Sequence, residues 1–292
     1  MKILLTGASG FLGNIIKTEL EKDNIVYTLG RNNADFKFDL SIDNILFKDL
    51  FDVVIHCAGI TKSESKYDFY NVNVVGTQRL LDGFSLNLLP AKLVFISSVS
   101  IYGILEDENL TSESNSNDLY AKSKLESEKI IQEWCNKRNV ICTILRLPLV
   151  VGNNPPGNLG AMIKGIKNRY YFNIGGGMAK KSMVLADDVA KVIIDAAKIG
   201  GIYNLTDGYH PTFSELSAHI SKQLGKNKPK NMPMWLACII ARFGDLIGSK
   251  APLNTNKLKK ITSDLTFDDS KAKEAFGWNP TPVLEGFKIN LL

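Results

Sequence analysis

The sequence predicts a doubly wound α/β fold, and three observations carry that prediction. Short apolar runs recur through the first half of the chain, helical patterns separate them, and a glycine-rich turn joins the first run to the first helix. Apolar strands that are continuous rather than alternating indicate a parallel sheet covered by helices on both faces. In such a sheet ligands bind at the C-terminal ends of the strands.

The elements follow in order. Ile3-Leu4-Leu5 is the first strand, and Phe11 to Glu21 the first helix. Strands are expected at residues 25–29 and 52–56, a helix at about 72–84, and a strand at 92–97. A longer helix follows from Asp118, its N-cap, to Asn136, with a strand at 140–145. After Val151 the composition shifts: Gly152 to Gly157 is a loop, and Gly175-Gly176-Gly177 breaks the pattern again. A helix at 187–198 and a strand at 202–205 return to the same sheet, and helical patterns dominate from Thr212 onward. Leu236 to Ile240 are expected in a core, with the lining of an apolar ligand site as the lesser reading.

Composition sets the boundaries. The 292 residues are 45% hydrophobic and 22% charged, with a net charge of +5, an ordinary globular mixture. No Lys/Arg block points to a nucleic-acid partner. The cysteines, Cys57, Cys135, Cys142 and Cys238, form no CxxC pair and no metal spacing. They are expected to be reduced, mostly buried thiols of a cytoplasmic protein, with no bound metal. With a strand starting beside Met1, no signal peptide is expected. The apolar run Met234 to Phe243 is interrupted by Arg242 and too short to span a bilayer, so no membrane partner is expected.

Thr6-Gly7-Ala8-Ser9-Gly10-Phe11-Leu12-Gly13 occupies the first strand-to-helix turn. Glycines at 7, 10 and 13 permit a tight turn, close approach of backbone to a pyrophosphate, and close helix–strand packing. The helix N-terminus then offers free N–H groups to the phosphates. Gly7, Ser9, Gly10, Phe11, Leu12 and Gly13 are the predicted cradle of a nicotinamide dinucleotide. At the end of the second strand an acid would hold the ribose hydroxyls, whereas an arginine favours a 2′-phosphate. The chain reads Gly30-Arg31-Asn32, so Arg31 is a candidate 2′-phosphate ligand and the cofactor leans to NADP over NAD. Stacking on adenine, or simple solvation, is the alternative for Arg31.

Tyr120 and Lys124 stand at i and i+4 on one helix face. A phenol of pKa near ~10 is a poor base at neutral pH, and a neighbouring ammonium stabilises its phenolate. Lys124 can also hold the nicotinamide ribose, which makes Tyr120 and Lys124 candidate cofactor contacts as well. Upstream, Ser97-Ser98-Val99-Ser100 leaves a strand at its C-terminal end, where a hydroxyl can donate to a substrate oxygen or relay a proton.

The GxxGxxG spacing, Tyr120-x-x-x-Lys124 and the hydroxyl residues before Tyr102-Gly103 resemble the extended branch of the short-chain dehydrogenase/reductase superfamily, within its nucleotide-sugar epimerase/dehydratase/reductase family. That resemblance implies a Rossmann sheet over residues 1–151, completed by about 187–206. It also implies a smaller, mainly helical C-terminal substrate lobe from 152–186 and 207–292. It makes Ser98, four residues before Tyr102, the catalytic hydroxyl beside Tyr120 and Lys124. Asp39-Leu40 looks like the pair that contacts adenine, Cys57-Ala58-Gly59 like the segment along the dinucleotide, and Asn73 like the family asparagine. Arg146-Leu147-Pro148-Leu149 looks like the turn beside the nicotinamide, with Pro148 as cofactor contact. His56 is expected to satisfy backbone groups at a strand end. Asp187-Asp188 and Gly277-Trp278-Asn279-Pro280 extend the likeness over nearly the whole chain.

Two departures narrow the substrate. Val99 and Ser100 stand where 4,6-dehydratases carry an Asp-Glu pair, which argues against dehydration and leaves these residues, with Ser98, facing substrate. Arg146-Leu147-Pro148-Leu149 replaces the Arg-Tyr-Phe-Asn of galactose epimerases, which argues against ordinary UDP-glucose 4-epimerisation. The resemblance then implies a UDP-, dTDP- or GDP-linked amino- or deoxy-sugar of surface polysaccharides, with Asn158 and Lys181 as candidate diphosphate ligands and a homodimer built partly on the Tyr120 helix. Two catalytic readings stay open. In a 4-epimerase hydride leaves C4 and returns to the other face of the rotated keto-sugar; in a 4-ketoreductase NADPH enters, reduces a keto-sugar and leaves. A non-catalytic dinucleotide sensor and a reductase of a less polar ketone are the alternatives.

Overall fold

The computed structural model of the chain describes residues 1–63, 65–103, 119–248 and 251–289. The expected N-cap Asp118 lies outside them. The described chain divides into two units. The first comprises 1–148, 186–205 and 268–279, and the second 149–185, 206–267 and 280–292. The return of 268–279 to the first unit departs from the expected lobe boundary, because helix α10 (Ser270–Phe276) sits with the sheet, its Phe276 ring edge-on to Tyr203 at 4.9 Å.

In the first unit seven strands form one parallel sheet. They are β1 (Lys2–Thr6), β2 (Ile25–Gly30), β3 (Phe36–Lys37), β4 (Val53–His56), β5 (Lys92–Ser98), β6 (Ile141–Leu147) and β10 (Gly201–Asn204). Their order is β10-β6-β5-β4-β1-β2-β3, and every pair is parallel. Chain order reverses between β1 and β4, which opens a crevice at their C-terminal ends. Around the sheet lie α1 (Phe11–Leu20), the single turn α2 (Lys66–Asp68), α3 (Gly76–Asp82), α4 (Leu119–Arg138) and α6 (Ala186–Ile199). The strand centres are mainly apolar because both faces are covered; Leu4, Val54, Leu93, Phe95 and Ile144 share one core with Trp134 of α4. α6 buries Val189, Ala190, Ile193, Ala196 and Ala197, the spacing of a single helical stripe. The doubly wound Rossmann sheet is as predicted.

Two local features differ from expectation. The helix expected from about 72 is a π-helical segment, Phe69–Val75, that runs into α3. β3 is a two-residue strand, held to β2 through Leu29 and Gly30.

The second unit is not purely helical. Parallel pairs β7 (Leu149–Val151) with β9 (Met183–Leu185) and β8 (Phe172–Ile174) with β11 (Lys230–Met232) accompany α5 (Gly157–Lys167), α7 (Phe213–Gln223), α8 (Met234–Ile247), α9 (Thr255–Thr262) and the turn α11 (Val283–Gly286). Its core gathers Val151, Leu159, Met183, Leu216, Ile220 and Phe287. Of the expected core run Leu236–Ile240 only Ala237 is buried; Cys238, Ile239 and Ile240 are exposed. That expectation is corrected, and so is the picture of mostly buried thiols, since only Cys135 is fully buried.

Candidate active site

The site is built on the crevice between β1 and β4. After Thr6 the chain turns at Gly7 with φ +76°, where a Cβ would stand 2.7 Å from the Ala58 amide nitrogen. At Gly13 a Cβ would fall 2.0 Å from the Gly7 carbonyl oxygen, so α1 can approach the turn only with glycine there. α1 starts at Phe11 with Gly10 as N-cap, no side-chain cap and no acid in its first turn. The first-turn amides are therefore left for an anion, and the helix dipole favours one. Ser9 and Gly10 are exposed, and Phe11 and Leu12 half-buried. This turn fits a pyrophosphate.

A chain of hydrogen bonds fixes the crevice floor. The Ala58 amide donates to Thr6 Oγ1 (3.0 Å), which lies 2.7 Å from His56 Nδ1; His56 Nε2 lies 2.9 Å from Thr77 Oγ1, which donates to the Asn73 carbonyl. Proton counting sets one arrangement: the Thr6 hydroxyl donates to Nδ1, and Nε2–H donates to Thr77. His56 thus serves two hydroxyls rather than the backbone groups expected. Burial pushes its pKa down to about 3, helped by the charge of Lys124, so the ring stays neutral and takes no part in acid–base chemistry. Cys57 is pushed up to about 11 by burial, and remains a thiol.

Asn73, within the π-helical segment, clamps the segment after β4. It accepts from the Ile60 amide (2.8 Å) and donates to the Ile60 carbonyl (3.1 Å) and to Ser123 Oγ (2.9 Å). Its side chain thus ties the Cys57–Ile60 segment to α4. The irregular helix turns Asn73 to both partners at once, a placement that sequence periodicity does not disclose.

Lys124 projects from α4 into the same region. Its ammonium is buried, 5% exposed, and donates to the Ile96 carbonyl at 2.6 Å above the Phe95 ring. A Cβ on Gly59 would come within 4.0 Å of it. Burial draws its pKa down to about 8. Tyr120, one turn earlier, is half-buried, its ring 6.2 Å from that of Phe69. At i and i+4 the two side chains share a face of α4.

The three serines at the end of β5 are distinguished by their partners. Ser97 Oγ is buried and donates to Glu128 Oε1 at 2.5 Å. Ser98, the last residue of β5, accepts from the Ser100 amide (3.1 Å) and keeps its own hydrogen to donate. Ser100 Oγ is buried with no hydrogen-bond partner among the described residues, and Val99 beside it is half-buried. Two hydroxyls, Ser98 and Ser100, are therefore available at the strand end.

Beneath them lies a network the sequence reading missed. Glu128 is four residues beyond Lys124 on the same face of α4. Its carboxylate accepts from Arg146 of β6, Nη2 to Oε2 at 2.7 Å and Nε to Oε1 at 3.1 Å, with side chains 6% and 1% exposed. Arg146 Nη1 donates to the Tyr102 hydroxyl (2.7 Å), which donates to Asn204 (3.1 Å). The available signal was the 4-residue spacing Tyr120, Lys124, Glu128.

The remaining candidates fall at strand ends and loops. Arg31 is exposed directly after β2. Asp35 turns its carboxylate back onto the Thr28 amide and hydroxyl, both at 2.8 Å. Asp39 is held below the usual carboxylate range by the Ser41 hydroxyl and amide, with smaller help from Arg31 and Arg79. Leu40 lies against Gly76, the first residue of α3. Pro148 directly follows β6. In the second unit Asn158 is exposed in the first turn of α5. Lys181 is buried, with its ammonium on the carbonyls of Lys260 (2.8 Å) and Ser263 (2.5 Å), so it ties these segments of the second unit together instead of standing free for a diphosphate as expected.

Comparison with known proteins identifies the family. Residues 3–205 match the model of the NAD dependent epimerase/dehydratase family. The chain belongs to that family. It is an NAD(P)-dependent enzyme of the oxidoreductase/epimerase type. Among its relatives is N-acetyl-alpha-D-glucosaminyl-diphospho-ditrans,octacis-undecaprenol 4-epimerase of Escherichia coli O157:H7, 26% identical over 99% of this chain and 94% of that one. Among solved structures, MoeE5 in complex with UDP-glucose and NAD superposes with a TM-score of 0.76 at 18% identity, covering 98% of this chain and 96% of that one. RMD from Pseudomonas aeruginosa, complexed with NADPH, gives 0.73 at 18% identity with the same coverages.

Proposed function

We propose that the protein is an NAD(P)-dependent 4-epimerase of a diphosphate-linked amino- or deoxy-sugar, with Tyr120 as acid/base, Lys124 as its electrostatic partner and Ser98 as the hydrogen-bond donor to the reacting oxygen. The observation that carries this reading is the buried Lys124 ammonium, anchored on β5 and set beside Gly59 in the crevice that the glycine turn opens. A dinucleotide held by the α1 amides supplies hydride transfer when bound. The residues of the chain handle the proton. Tyr120 removes it from the C4 hydroxyl as hydride leaves and returns it as hydride comes back. Lys124 favours the phenolate, and the Ser98 hydroxyl donates to the oxygen where charge develops. Ser100 is a second donor to substrate, and Asn158 a contact to the diphosphate. The whole-length relative that works at C4 of an amino sugar supports this choice of position and substrate.

A second reading, a 4-ketoreductase using NADPH, draws support from Arg31. The strand end after β2 presents a guanidinium while the carboxylate of Asp35 is engaged with Thr28. The deciding experiment is mass spectrometry of the purified protein before and after dialysis, followed by turnover on UDP- and polyprenyl-diphosphate-linked N-acetylhexosamines read by NMR at C4. Retained cofactor with interconversion of C4 epimers supports the epimerase. Cofactor lost on dialysis, with turnover only of a 4-keto sugar and added NADPH, supports the reductase. A complete lack of turnover with normal dinucleotide binding would sink both.

A further inference from the structure

Residues 222–260 are unlike the rest of the chain. They hold nine lysines and arginines and a single carboxylate, Asp245, a net charge of +8 against +5 for the whole chain, so the remainder carries −3. At the centre of this basic stretch lies α8, and its amphipathic pattern is inverted. The small residues face inward: Ala237 and Ala241 are buried with Leu258, and Gly244 meets the Leu253 carbonyl so closely that a Cβ would overlap it, 1.8 Å from the oxygen. The large apolar side chains face outward. Trp235 is 65% exposed, Phe243 67% and Leu246 85%, with Ile239 and Ile247 beside them. A helix of an ordinary surface buries its large apolar residues and exposes polar ones. An outward apolar stripe of this kind belongs against another apolar phase.

Charge selects that phase. A second copy docked through the same face would bring two stretches of +8 together, and cores of protein interfaces are depleted in lysine. An anionic lipid surface, in contrast, attracts every one of these cations. The sole acid of the stretch is engaged locally, Asp245 accepting from the Thr255 amide (2.9 Å) and hydroxyl (2.5 Å). Fourteen residues cannot cross a bilayer, and no helix among the described residues is long and apolar enough to do so. A short helix with an aromatic and aliphatic face among basic residues lies instead in the plane of the membrane interface.

We infer that α8 docks the enzyme on an anionic membrane surface, with Trp235, Ile239, Phe243, Leu246 and Ile247 in the acyl boundary and Lys228 and Lys230 toward the headgroups. This reverses the expectation of no membrane partner, and it does not rest on the sugar chemistry proposed above.

The test uses the full chain with vesicles of phosphatidylglycerol and phosphatidylcholine in equal parts, and with phosphatidylcholine alone. Co-sedimentation with the mixed vesicles is expected, weakened by salt. Trp134 and Trp278 are buried, so a blue shift of tryptophan emission on binding reports Trp235. Phe243→Glu and Leu246→Glu are each expected to lower partitioning roughly ten-fold, and Lys228→Gln and Lys230→Gln roughly five-fold each. The melting temperatures of all four should stay near wild type, because the replaced side chains are exposed already. Absence of binding to the mixed vesicles, or binding that ignores the α8 substitutions, overturns the inference. A stable dimer that Phe243→Glu dissociates, in a protein that ignores vesicles, would also overturn it, in favour of a second copy on this face.

Discussion

Removing Glu128 should unsettle the catalytic helix more than any single exposed change. In Glu128→Ala the Arg146 guanidinium loses both carboxylate oxygens at a site only 6% exposed, and Ser97 loses its acceptor too. Breaking one side of a buried ion pair costs about 3–5 kcal/mol, because a charge is left without compensation. At roughly 2–4 °C per kcal/mol for chains approaching this size, the melting temperature should fall on the order of 10 °C. Glu128→Gln keeps an acceptor and the shape, and should cost less. The double variant Glu128→Met/Arg146→Leu removes both charges and should be more stable than Glu128→Ala, although it carries one more substitution. Thermal melts of all four proteins by circular dichroism give the comparison. A Glu128→Ala loss under about 1 kcal/mol, or a double variant less stable than Glu128→Ala, would refute this account of the network.

Further outcomes follow from the crevice. Below pH 6.5 the unfolded chain binds a proton at His56 that the folded chain, with that pKa near 3, does not; stability therefore falls as pH drops from 6.5 toward 3, by about 1.4 kcal/mol per pH unit. Denaturation curves at pH 7 and pH 5 should show this slope in wild type and lose most of it in His56→Asn; equal slopes contradict the assignment. Gly13→Ala, whose Cβ meets the Gly7 carbonyl at 2.0 Å, should cost about 1–3 kcal/mol and abolish dinucleotide binding by calorimetry, while Gly10→Ala, with 3.2 Å to the same atom, should cost less. Arg31→Ala should weaken NADPH binding by roughly ten-fold or more and leave NADH unchanged; equal loss for both cofactors returns Arg31 to adenine stacking.

Much of this arrangement was legible in the residues, for physical reasons that differ by element. β1, the glycine turn and α1 are written locally: a continuous apolar run, glycines where no Cβ fits, and then a helical stripe. The placement of Lys124 beside Gly59 follows once α4 packs on the parallel sheet that contains β4. The Glu128–Arg146–Tyr102 network was not legible, since it joins a helix, a strand and a short 3₁₀ turn whose proximity only the fold creates. β3 is too short for a pattern, and its two residues hold through pairing with β2. α8 misled because an apolar run reads as core; only packing reveals that its small residues are the ones turned inward. Likewise 268–279 reads as tail, yet α10 completes the first unit.

The central claim is that Tyr120 handles the substrate proton while the glycine turn holds the dinucleotide independently of it. Tyr120→Phe tests this most directly, with dinucleotide affinity and single-turnover hydride transfer measured on the same preparation. Unchanged affinity and a rate lower by about 10²–10⁴-fold are expected. Hydride transfer at close to the wild-type rate in that variant would contradict it.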